Sequence, residues 1–281
     1  MNEAIPVVIS IAGSDSGGGA GIQADLKAFA RCGVHGTTAI TAITAQNTLA
    51  VNSVHPVPPE AIRAQVAAVA EDIGIEAVKI GMLGTVETTD AVVAALEENG
   101  LVGTVPVVLD PVMVAESGAT LLEGDARSAL IELLLPRASV VTPNLPEAAE
   151  LTGLSGADRD ELAAAVLALG TQAVIVTGGH TDDGIDLLLT AAGERHAIAG
   201  PRYPDGAAHG SGCTHSSALA ACLALGASLP EAARSARDLT GEAVAAGLRG
   251  IGAGAGPVDV LGIAGGATRR PISPAASEPL P

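Results

Sequence analysis

Aromatic side chains are almost missing from this chain, at 1% of its residues, with one Phe, one Tyr and no Trp. A core must therefore be built from Val, Leu, Ile and Ala, and no row of rings is available for nucleic-acid bases to stack on. Basic residues are also few. Fourteen Lys and Arg against 31 Asp and Glu leave a formal charge of −17, which excludes nucleic acid or an anionic membrane as a general partner, because both demand a basic surface. A local anion site stays open. Three cysteines, an odd number in a long chain, speak against a disulfide framework and for a reducing cytoplasm. No uninterrupted apolar run reaches membrane-spanning length, and the first residues lack the basic start of a signal peptide.

Linkers are lacking too. No Ser/Pro-rich or charge-rich segment interrupts residues 1–267, so a single α/β domain is expected there. From Thr268 to Pro281 the composition turns to Arg, Pro, Ser and Glu without apolar periodicity, which predicts a disordered tail.

What the chain does contain is organised around His209-Gly210-Ser211-Gly212-Cys213-Thr214 and the Ala/Leu run behind it. Small residues followed by a helix would bring unpaired amides together at the helix N-terminus, which suits an anion. Cys213 at that point would feel the helix dipole, which can lower a thiol pKa into roughly the 3.5–7.5 range and make it a base. A small buried filler would also explain the cysteine.

Upstream, Val7 to Ala12 is a short, nearly all-apolar run, as expected of a strand covered on both faces in a parallel sheet. A glycine loop, Gly13 to Gly21 with Asp15 inside it, leads to a helix whose Ile22, Leu26 and Phe29 share a face. The loop is neither a Walker A motif nor G-x-G-x-x-G. Gly36 to Ala45 predicts a second strand ending at Gln46, whose carboxamide could meet the edge of a heterocycle or simply shape a turn. Pro59 to Ile73 and Thr88 to Glu98 predict helices, and Ala77 to Leu83 and Val105 to Met113 strands, the latter carrying Asp110. A carboxylate there needs a cation, Mg²⁺ or a basic side chain, unless it caps a helix.

A helix over 127–135 and a strand over 139–142 follow. Asn144 and Glu147, three apart, could face one hydrated metal, and the same spacing makes a capping box. Ala173 to Gly179 reads as a strand and a glycine turn able to lie under a nucleotide, with His180 beside it. A β-hairpin over 184–190 and 195–199, and helices over 218–225 and 229–248, complete the chain.

Several of these segments together resemble the bacterial hydroxymethylpyrimidine/phosphomethylpyrimidine kinases of thiamine biosynthesis. They are Ala12 to Asp15 with Gly17 to Lys27, Ile40 to Thr48, Val78 to Leu83, Leu109 to Met113, Thr142 to Ala148 and His209 to Thr214. The resemblance runs in order through nearly the whole chain. It implies a ribokinase-like three-layer α/β/α fold with a central, mainly parallel sheet. It also implies two successive ATP-dependent phosphorylations, of the hydroxymethyl oxygen and then of the monophosphate. By the same resemblance, Gly13, Asp25, Gln46, Met82 and Val112 would hold the pyrimidine. Gly210, Ser211, Gly212 and Cys213 would form the anion hole and catalytic group, while Asp110, Asn144, Glu147, Thr177 and Gly179 would serve ATP and Mg²⁺, the metal through Glu147 and Asp110. A cytoplasmic homodimer is implied as well.

Two departures stand out. Thr177 occupies a position where the family usually carries a lysine, for which Arg202 or Lys79 could substitute, and Ala207-Ala208 precede His209 where relatives carry polar residues. A pyridoxal kinase and a non-catalytic pyrimidine-binding protein are the competing expectations.

Overall fold

The computed structural model describes residues 5–114, 118–119, 121–122, 124–179, 181–204 and 206–265. His180 and the segment from Thr268 to Pro281 lie outside them.

Every residue of β1 (Val7–Asp15) is buried except Ser14, because the strand runs through the middle of a nine-stranded sheet. The order is β3-β2-β1-β4-β5-β6-β7-β8-β9. From β2 (His35–Gln46) through β1, β4 (Ala77–Ile80), β5 (Val107–Leu109), β6 (Val140–Val141) and β7 (Ala173–Val176), neighbours run parallel. Antiparallel strands finish both edges: β3 (Val51–Pro56) on one side, and the predicted hairpin β8 (Ile185–Thr190) and β9 (Arg195–Ala199) on the other.

Alternate strand residues face opposite layers, as a period of two requires. Ile9, Val107 and Leu109 join a core with Ile62 and Val66 of α2 (Pro59–Asp72), Val92 and Leu96 of α3 (Val86–Glu98), and Leu162 and Val166 of a helix over Arg159–Leu167. Val8 and Val108 point the other way, into Phe29 of α1 (Gly21–Cys32) and the alanine-rich faces of the two closing helices, Ser211–Ala224 and Leu229–Ala245. The result is the three-layer α/β/α arrangement.

Four local details differ from the sequence expectation. Strand β3 carries no apolar run, since most of its residues are exposed, and it was not foreseen. The helix over Arg159–Leu167 was not foreseen either, although Asp158 and Glu161 form a capping box at its start. The segment predicted as one helix over 127–135 is α4 (Gly124–Ala129) followed by a π-helical turn and a 3₁₀ turn. The penultimate helix begins at Ser211 rather than Ala218. With α5 (Leu145–Thr152) and Arg159–Leu167 as α6, the closing helices are α7 and α8.

Candidate active site

The carboxyl ends of the parallel strands all open on one side of the sheet, where α/β folds of this kind bind ligands. A cavity of about 380 Å³ lies there. Its wall takes Asp15 from the end of β1, Gln46 from β2, Met82 after β4, Asp110 after β5, Thr142 after β6 and Thr177 after β7, and the N-terminus of α7 closes it from above with Gly210 to Cys213.

Gly13, Gln46, Met82 and Val112 all line the cavity. A β-carbon at Gly13 would stand 3.1 Å from Met82 Sδ, so the glycine lets the methionine lie flat against the cavity. Thr41 Oγ1 donates to the Met82 carbonyl at 2.8 Å and fixes that turn. Ser16 and Gln46 exchange backbone–hydroxyl hydrogen bonds. Thr44 Oγ1 lies 3.2 Å from Gln46 Oε1, which orients the carboxamide at the wall.

Asp25 is the exception among the predicted ring contacts. It is fully buried and lies outside the cavity lining. Its carboxylate accepts from Ser10 Oγ at 2.6 Å, Ser217 Oγ at 2.7 Å and Lys79 Nζ at 2.9 and 3.1 Å. With every lone pair engaged, it anchors Lys79 instead of touching a ligand. Lys79, whose ammonium is 3.9 Å from Asp110 Oδ2, is itself among the residues lining the cavity.

Gly210 caps α7 in the left-handed region, at φ 83°, and a β-carbon there would fall 1.8 Å from the Gly19 carbonyl oxygen. Only glycine permits this junction. The Ser211 amide donates to the Ala208 carbonyl, which leaves the Gly212 and Cys213 amides as the free donors of the helix start.

Cys213 departs from expectation in its chemistry. The residue is half-buried, but burial of its sulfur pushes the thiol up to about 12, with Asp25 and Asp110 adding to the rise and Lys79 and the Gly21 amide opposing it. The helix dipole is outweighed, so the thiol is neutral at pH 7.

Asn144 and Glu147 form the capping box of α5: Glu147 N donates to Asn144 Oδ1 and Asn144 N to Glu147 Oε2, each at 2.9 Å. Burial first, and then the charge of Asp110, raise Glu147 to about 8. Burial also raises Asp110, against the pull of Lys79 and of Ser216 Oγ at 2.9 Å. Two buried carboxyls at a cavity wall, one raised further by the charge of the other, are a donor set that a divalent cation would relieve. Mg²⁺ is commonly held in this manner, by one or two carboxylates together with water and phosphate oxygens. No group of three or more His, Cys, Asp or Glu able to hold a metal occurs among the described residues.

Of the two cations named to replace a lysine at 177, Lys79 is engaged by Asp25 and Asp110, while Arg202 pairs with exposed Asp182 at 3.0 Å. The sequence had singled out neither the link between His209 and Asp15, 3.1 Å apart, nor the buried group of Asp186, His215 and Arg237. No short motif marks either, since the partners come from distant segments.

A model of the phosphomethylpyrimidine kinase family matches residues 15–259. The hydroxymethylpyrimidine/phosphomethylpyrimidine kinase of Streptomyces coelicolor is 46% identical over 258 residues, covering 90% of this chain and 94% of the relative. Among solved structures, an ADP complex of Bacillus subtilis pyridoxal kinase superposes with a TM-score of 0.82 at 36% identity, covering 91% of this chain and 97% of that one. The phosphomethylpyrimidine kinase of Clostridium difficile gives 0.72 at 39% identity, with 83% and 96% covered.

Proposed function

Since the chain belongs to the phosphomethylpyrimidine kinase family, we infer that it phosphorylates 4-amino-5-hydroxymethyl-2-methylpyrimidine with ATP, and then phosphorylates the monophosphate, for thiamine biosynthesis. One observation carries the assignment to this cavity: Gln46, Met82 and Val112 share it with the α7 N-terminus at Gly212-Cys213. A small ring held by the first group lies in the same enclosure as a cradle for the transferred phosphoryl group.

Phosphoryl transfer asks mainly for alignment and for stabilisation of migrating charge. The free amides of Gly212 and Cys213 supply the second, and the Gln46 wall supplies the first. In the first step the hydroxymethyl oxygen bonds to the γ-phosphorus, the bond to ADP breaks and the alcohol proton leaves. In the second step the acceptor is already an anion and has no such proton to lose. Asp110 and Glu147 are the residues that would hold Mg²⁺, which supplies charge neutralisation on the ATP phosphates. The exposed Ile43, Leu49 and Val54 on and between β2 and β3 support a homodimer through that ribbon, and three free cysteines support a cytoplasmic setting. No helix of the described residues is long and apolar enough to cross a membrane.

Purified protein incubated with ATP, Mg²⁺ and the hydroxymethylpyrimidine should release two ADP per pyrimidine. Pyridoxal in parallel tests the second reading, which the close superposition on a pyridoxal kinase favours. Absence of ADP with the pyrimidine overturns the assignment.

A further inference from the structure

One group of buried polar side chains at the cavity wall is left unused by the chemistry above. Asp186 of β8, His215 of α7, and Arg237 and Thr240 of α8 all line the cavity, and each is more than nine-tenths buried, at 1%, 5%, 8% and 6% exposure. Asp186 organises them. Its Oδ1 accepts from the Gly178 amide at 2.7 Å, its Oδ2 lies 3.3 Å from His215 Nε2, and Arg237 Nε stands 3.9 Å from Oδ1. Arg237 Nη2 donates to the Gly184 carbonyl at 2.7 Å, which sets the guanidinium in place.

His215 Nδ1, Arg237 Nε and Thr240 Oγ1 nevertheless lack a hydrogen-bond partner, and His215 Nε2 and Asp186 Oδ2 have only their 3.3 Å contact with each other. Unpaired buried polar atoms are costly, so a cluster of them at a cavity wall points to a ligand that completes them. The other cationic or basic side chains on that wall are engaged: Lys79 by Asp25 and Asp110, Arg202 by Asp182, and His209 by Asp15. The unengaged groups are mostly donors, including a guanidinium N–H, and such a set suits a phosphate oxygen. Burial acts to raise Asp186, but His215 and Arg237 hold its carboxyl below the ordinary value, so the carboxylate is already balanced by its neighbours.

We propose that His215, Arg237 and Thr240, anchored by Asp186, form a second phosphate subsite that takes a non-transferred phosphate of ATP while the α7 N-terminus holds the transferred one. The subsite rests on the kinase assignment. Its ligand is the nucleotide rather than a phosphorylated pyrimidine because Asp186 is bonded to the Thr177–Gly179 turn, and Gln46 and Met82 come from the strands on the other side of the sheet order.

The test measures ADP and adenosine binding to the intact protein by calorimetry, and the KM for the phosphorylated pyrimidine, in wild type, Thr240→Val, His215→Leu and Arg237→Met. ADP affinity should fall about tenfold or more in each folded variant, with adenosine affinity and the pyrimidine KM within about twofold of wild type. Unchanged ADP affinity overturns the subsite, as does equal weakening of ADP and adenosine, or a raised pyrimidine KM with ADP binding intact. Thr240→Val is nearly isosteric and decides the matter if Arg237→Met fails to fold. ADP binding needs no turnover, so loss of ADP affinity in the variants would uphold the subsite even if the wild type failed to phosphorylate the pyrimidine.

Discussion

His209 Nε2 stands 3.1 Å from Asp15 Oδ2 and so ties the loop before α7 to the glycine turn after β1. The same carboxylate accepts from the amides of Gly17, Gly19 and Ala20. Burial acts to raise Asp15, but the His209 contact and these amides outweigh it and hold the carboxyl below its ordinary value. A depressed carboxylate contributes stability that is present above the unfolded-state pKa, near 3.9, and is lost as pH falls through the lower folded value. Asp15→Asn should therefore melt well below wild type at pH 6, with the gap narrowing as pH drops below about 4. Melting curves across that range check it, and a constant gap would assign the loss to packing alone.

Glu147 has the opposite sign. Its carboxyl is raised to about 8 from 4.5, so the folded state holds a proton that the unfolded chain releases, and the associated stability disappears as pH climbs between those two values. Glu147→Gln removes the titration. Its melting temperature relative to wild type should rise steadily from pH 5 to pH 8. If the carboxylate also meets Mg²⁺, wild-type affinity for Mg²⁺-ATP strengthens over the same interval and that of Glu147→Gln stays flat, which titrations at pH 6 and pH 8 would reveal.

The sheet was legible wherever a strand is covered on both faces, because β1, β4 and β5 then read as short, mainly apolar runs, interrupted in β4 only by Lys79. Strand β3 lies at an edge and is mostly exposed, so no such run marks it. In the site, Gln46 at the end of β2 and Asp110 just past β5 were legible because position along the chain sets their place in the cavity, whereas Met82 was marked only by the family resemblance. The role of Asp25 was not legible. Its direction is fixed by Lys79, 54 residues on, and Ser217, 192 residues on, which local spacing cannot express. The thiol of Cys213 misled for the same reason: the dipole is a local feature, whereas burial and the charges of Asp25 and Asp110 are assembled only by the fold.

Lys79 is the one cation between those two carboxylates, fully buried and 2.9 Å from Asp25. Replacing it leaves uncompensated charge in the interior, which costs about 3–5 kcal/mol. Lys79→Met should thus lose much of the total stability. Adding Asp25→Asn to it should recover a part, since the pair shares one interaction. Denaturant titration of the single and double variants tests this, and additive losses would break the coupling.

Cys213 decides how the alcohol proton leaves. With its thiol pushed up to about 12 by burial, the thiolate fraction is small at neutral pH and grows about tenfold per pH unit. If the thiolate accepts the proton, the first phosphorylation should accelerate with pH between 7 and 9, and Cys213→Ala should slow it about 10²-fold while flattening that rise. The second phosphorylation, whose acceptor is already ionised, should be nearly flat with pH in both proteins and lose less than about tenfold. Single-turnover rates for each step across this range check the asymmetry. A flat first step in wild type, with equal losses in both steps on substitution, would instead make Cys213 a structural member of the amide cradle, its sulfur serving to hold Gly21 of α1 against the start of α7.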